Sequence, residues 1–80
     1  MLTSEQIRAA RSLLRWTAQD LADSSGVSWR TIQRLESAIG VPASHSKNLE
    51  TVHRAFEKAG VVFIDQDEDS GPGVKLRDPI

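Results

Sequence analysis

The sequence predicts a mainly α fold: a compact bundle of four helices, or five with a short extra turn, closed by a short C-terminal β-strand or hairpin. Three observations carry this. Side chains able to cap a helix stand at Thr3, Thr17, Ser28 and Ser46 or Asn48, each before a run with helical apolar spacing. Gly26 and Gly60 stand where two of those runs stop. After Gly60 the pattern turns β-branched and alternating, in VVFI and VKLR.

Each element follows in order. Thr3 with Gln6 three residues on reads as a capping box, opening a helix to about Arg15 with Ile7, Ala10 and Leu14 on one face. Thr17 opens a short second helix, with Asp20 near its positive end. Gly26 ends it, and Ser28 caps a third helix from Trp29 to Ser37. The turn between these two is too short for a relaxed antiparallel pair, so they should cross steeply, as in a helix-turn-helix. Residues 37–47 read as a loop. Ser46 or Asn48 caps a fourth helix ending near Ala59, with Leu49, Val52 and Phe56 on one face. Val61–Ile64 reads as a strand, DQDEDSGPG as a polar turn, and Val74–Arg77 as a second strand. Trp16 is expected to pack over the junction of the first two helices.

Eighty residues make one domain, which buries roughly 60–65% of its unfolded surface and so has a modest core. Two regions divide it: 1–60, with the helix-turn-helix at 17–36, and a C-terminal β extension at 61–80. VVFI is apolar on both faces, and one small helical core covers only one of them well. The extension is therefore expected to be a dimerisation element. There is no cysteine, which excludes disulfides and Cys-based zinc sites and suits a reducing cytoplasm. MLTSEQIRAARSLL carries Glu5 and no long apolar run, so neither a signal peptide nor a membrane span is expected.

The net charge of −1 averages two unlike parts. Residues 1–60 hold eight Lys/Arg against six Asp/Glu, a net +2, and residues 61–80 hold two against five, a net −3. The acidic tail should stay away from phosphates. No nucleophile–base set, phosphate-cradling glycine loop or cofactor fingerprint is legible, so an enzyme and a cofactor are not expected. Neither His45 and His53 nor the alternating Asp65, Asp67 and Asp69 reads as a metal site. A calcium loop begun at Asp65 would need Gly and a carboxylate where Ser70 and Leu76 stand.

The informative stretch is TAQDLADSSGVSWRTIQRLE, Thr17 to Glu36. Ala22 is small enough for two helices to cross, and Val27, Ile32 and Leu35 plug the third helix into the core. Arg30 and Arg34 fall at about 160° and 200° from Ile32 around that helix, flanking the direction opposite the core. Gln33 and Thr31 border that face. An α-helix fits the DNA major groove, where Arg binds guanine in bidentate fashion. Gln33 can read adenine or hold a phosphate, while Ser28, Thr31 and nearby amides can fix the backbone. Trp29 leans toward the core edge, so it either packs there or sets its ring against a thymine methyl or a sugar. Arg8 and Arg15 lie on one flank of the first helix, with solvent as the expectation and phosphate contact as the alternative.

Leu21, Ala22, Gly26, Val27, Ser28, Ile32, Leu35 and Glu36 resemble, without a gap, the helix-turn-helix of the Cro/lambda-repressor type, the XRE family. The likeness covers about Leu2 to Ala59. The tail AGVVFI…GPGVKLR is more weakly similar to an extension found in small bacterial members. The resemblance implies a repressor-like fold and a regulator of transcription that binds double-stranded DNA, usually as a homodimer on an inverted repeat. Its recognition helix is Ser28–Arg34, with Trp29, Arg30 and Arg34 at base-contacting positions. Members often hold a phosphate with a Gln directly after the cap of the second helix. Here that residue is Ala18, and either the neighbouring Gln19 substitutes or the contact is absent. Lys47, just before the fourth helix, lies where the family touches the DNA backbone. The resemblance also implies a partly buried, structural ion pair between Arg11 and Glu36. The alternative reading is a protein-interaction module on the same scaffold, an antitoxin or adaptor whose partner is a toxin or co-regulator.

Overall fold

Hydroxyl caps set the helical frame. The computed structural model describes residues 2–42 and 46–80. Thr3 opens α1 (Ser4–Leu14): its Oγ1 accepts the Gln6 N–H at 3.0 Å, and the Gln6 side-chain oxygen accepts the Thr3 N–H at 3.0 Å. Thr17 and Asp20 make the same reciprocal pair at the start of α2 (Ala18–Ser25). Ser28 opens α3 (Trp29–Ser37), accepting from the Thr31 N–H at 3.2 Å. α2 and α3 are thus separated by Gly26, Val27 and Ser28 alone, and Gly26 supplies the left-handed turn at φ 78°.

α4 spans Ser46–Lys58, which corrects the expected cap and loop. Ser46 and Asn48 both lie inside the helix, and Lys47 stands in its first turn rather than before it. Leu49, Val52 and Phe56 are its buried face, as their spacing predicts. The described part of the preceding loop is Ala38–Pro42; residues 43–45, His45 among them, lie outside the described residues.

β1 (Val61–Ile64) and β2 (Gly73–Leu76) form an antiparallel hairpin in the register Val61↔Leu76, Val62↔Lys75, Phe63↔Val74 and Ile64↔Gly73. The second strand starts and ends one residue earlier than the alternation suggests. Ile64 takes Gly73 as its partner, and Gly73 has no side chain to show in a pattern. Beyond the strand the Arg77 N–H still donates to the Gly60 carbonyl at 2.8 Å. Facing residues of a pair share a side of the sheet. Val61, Phe63, Val74 and Leu76 accordingly pack on the helical core, while Lys75 and Ile64 turn outward.

One core joins all these elements: Leu2, Ile7 and Ala10 of the N-terminal part, Leu21, Ala22 and Val27, then Ile32 and Leu35, Leu49, Val52 and Phe56, and Val61. Phe56 is fully buried at its centre. Trp16, in the α1–α2 link, stacks on Phe56 with ring centres 5.8 Å apart, and Phe63 meets Phe56 edge-on at 5.8 Å. Gln6 adds a polar tie between distant parts. Its amide nitrogen donates to the carbonyls of Ile64 (3.3 Å) and Gly73 (3.1 Å), the pair at the hairpin mouth.

Two local features give expected outcomes. Arg15 closes α1 in the left-handed region at φ 57°, its N–H on the Arg11 and Ser12 carbonyls, and the Trp16 N–H reaches Arg11 at 2.9 Å. A side chain there is strained, so Arg15→Gly should raise stability by ~0.5–1 kcal/mol in urea denaturation. The loop after α3 hooks onto α1: the Ser4 N–H donates to the Gly40 carbonyl at 2.8 Å, and the Gly40 N–H donates to Glu5 at 3.0 Å. Backbone N–H donors, first in its own turn and then at Gly40, hold the Glu5 carboxyl below its ordinary value, with a smaller pull from Arg8. A carboxyl depressed by folding contributes fully above its unfolded value, and that contribution is lost as pH falls through the folded one. Stability should therefore fall on acidification below 4.5, and Glu5→Gln should make that acid limb shallower in urea midpoints taken across the range.

Candidate functional site

α3 presents two unlike faces. Ile32 and Leu35 are fully buried and Glu36 is 9% exposed. On the opposite side Arg30 and Arg34 are exposed, with Gln33 exposed at the border, and Trp29, toward the core edge, is 52% exposed. Trp29 therefore has half its surface in solvent and half covered. Thr31 is half-buried at the border. Its hydroxyl oxygen accepts from Ser28 Oγ at 3.0 Å, so the cap and its neighbour are locked to one another at the start of the helix. None of the ion pairs among the described residues involves Arg30, Arg34 or Lys47.

The other expected contacts sit on other helices. Gln19 is exposed in the first turn of α2, and its amide nitrogen donates to Asp23 Oδ1 at 2.9 Å. One of its two amide hydrogens is thus engaged beside a carboxylate. Lys47 is exposed in the first turn of α4.

The inner face of α3 is held by charge as well as by packing. Arg11 Nε and Nη2 donate to Glu36 Oε2 and Oε1, both at 2.7 Å, and Arg11 Nη1 donates to the Trp16 carbonyl at 2.9 Å. This two-pronged geometry is the strongest form of such a pair. The bond to Glu36 raises the pKa of the Arg11 guanidinium against the opposing effect of partial burial. Arg8 is exposed on its flank of α1, with 43% of its side chain in solvent, and it also donates to the Glu36 backbone carbonyl and lies 3.9 Å from Glu5. Ser4, which the sequence reading passed over, donates to the Leu35 carbonyl. The signal for both was the spacing Ser4, Arg8, Arg11, which puts three polar groups on one stripe of α1.

Elsewhere the polar clusters are self-contained. Asp67 Oδ1 accepts from the backbone N–H groups of Asp69 and Ser70, both at 2.8 Å, and from the Ser70 hydroxyl. Those donors, Asp69 first, hold its carboxyl below the usual range. His53 lies edge-on to Phe63 at 4.9 Å and 3.6 Å from Glu57. Among the described residues no cluster of three or more His, Cys, Asp or Glu is placed to hold a metal ion. No helix of the described chain is long and apolar enough to cross a membrane. No protein-family model matches the chain, and no curated protein matches it at a significant level.

Removing Arg11 would leave the Glu36 carboxylate buried without its partner. Arg11→Ala should cost about 3 kcal/mol in urea denaturation, whereas Arg11→Met combined with Glu36→Leu should cost much less, because no charge is then stranded.

Proposed function

We propose that the chain is a sequence-specific DNA-binding regulator of transcription, working in the cytoplasm as a homodimer on an inverted repeat. The observation that carries this is the division of α3: a buried, ion-paired inner face and an outer face where Arg30, Gln33 and Arg34 stand exposed, with Trp29 half-exposed at the edge. α3 enters the major groove. Arg30 and Arg34 bind guanine edges or phosphates, and Gln33 reads an adenine or holds a phosphate. Trp29 lays its ring against a thymine methyl or a sugar. Ser28 and Thr31 keep the N-terminus of α3 against the backbone, with Gln19 and Lys47 adding phosphate contacts from α2 and α4.

The hairpin supports the dimer. Ile64 is 43% exposed on its outer side, and a two-stranded sheet leaves strand edges open to pairing. Two copies joined through this segment, with or without α4, would set their α3 helices about 34 Å apart, one turn of DNA. The second reading, an interaction module such as an antitoxin or adaptor, draws on Ile39 and Val41, 94% and 50% exposed after α3.

Selection of bound duplexes from a random library tests both. An enriched inverted repeat, lost in Arg30→Ala/Arg34→Ala, is the expected result. A folded protein that enriches nothing at low salt would remove the DNA reading and favour the interaction module.

A further inference from the structure

An α-helix leaves its last carbonyls without donors of its own, and a left-handed glycine commonly supplies them. α3 has no such ending. Ala38 follows it in extended conformation, at φ −83° and ψ 169°. The last turn is capped from another helix instead. Ser4 Oγ donates to the Leu35 carbonyl and Arg8 Nη1 to the Glu36 carbonyl, while the Ser37 hydroxyl takes the Arg34 carbonyl at 3.0 Å. The Arg8 cation also faces the negative end of the α3 dipole. Ser4 is fully buried, so it has no route to DNA of its own.

We infer that Ser4 and Arg8 are positioning residues for α3: by capping its C-terminal carbonyls from α1 they fix the angle at which its outer face meets DNA. This rests on the DNA reading above and adds to it the groups that set its geometry. Ile32, Leu35 and the Arg11–Glu36 pair seat the inner face of α3, and Ser4 and Arg8 add a hold at its C-terminal end. α3 is nine residues long, about 13 Å, so a 10° change in tilt moves its far end by about 2 Å. A bidentate Arg–guanine contact tolerates only a few tenths of an ångström. Arg8, a cation on the flank of α1, is then not a phosphate contact.

The test uses Ser4→Ala, Arg8→Ala and Arg8→Gln, with two readouts. The first is amide hydrogen exchange of the free protein. Both alanine variants should speed exchange at Leu35 to Ala38, and Arg8→Gln, neutral but still a donor, should recover part of the protection. The second is affinity for the selected duplex and for random duplex across a salt series. In both alanine variants the ratio of specific to nonspecific affinity should fall about tenfold with the salt dependence unchanged, the size expected from one misplaced Arg–guanine contact. Arg8→Gln should regain part of that ratio. Loss of a phosphate contact would instead lower the salt slope by about 0.9 and leave the ratio intact, and that result for Arg8→Ala overturns the proposal. Wild-type discrimination that survives both alanine variants, even with faster exchange, overturns the positioning role alone. A wild type without sequence preference overturns the DNA reading and the positioning role together.

Discussion

Glu36 places a carboxylate between α1 and α3, where only 9% of it reaches solvent. Such a charge persists only if both oxygens find donors, and Arg11 supplies both. The geometry then propagates. The remaining Arg11 donor takes the Trp16 carbonyl and so fixes the link between α1 and α2. The Trp16 ring stacks on Phe56 of α4, and Phe56 meets Phe63 of β1. A single side chain on α1 thereby connects α3, the α1–α2 link, α4 and the hairpin. In a domain of 80 residues, where the core alone is modest, that chain of contacts ties these elements to one another.

The same constraint separates structural charge from free charge on α3. Glu36 and the helix end face inward and are satisfied by α1. Arg30 and Arg34 face outward and enter no ion pair among the described residues. A chain of net charge −1 can therefore present a cationic face without being a basic protein. The acidic tail adds to this segregation, because Asp67 satisfies itself within its own turn. Under the proposed function, this distribution favours weak attachment to DNA in general and tighter binding only where base edges fit.

The parts of the fold legible in the sequence were those decided within a few residues. Thr3, Thr17 and Ser28 cap helices through bonds spanning three positions, and Gly26 turns the chain at one. The two faces of α3 were equally legible, since a helical period alone separates Ile32 and Leu35 from Arg30 and Arg34. What escaped depends on distant partners. Arg8 is the solvated flank its position suggests, but its bond to the end of α3 shows only once that helix lies beside it. Gly73 carries no pattern, so its place in β2 emerges only from pairing with Ile64. α4 starts at Ser46, one residue ahead of where a Ser46 cap would open it, and the residues just before it lie outside the described ones.

Gln6 has a consequence for how the molecule comes together. Its oxygen completes the first turn of α1, and its nitrogen reaches the hairpin mouth across 58 and 67 residues of chain. Closing so long a loop is entropically expensive, so these bonds belong late in folding, after the helical core has gathered. Once made, they merge two segments that would otherwise loosen independently. Fraying of the first turn and parting of the strands become one cooperative opening, and each segment borrows the stability of the other.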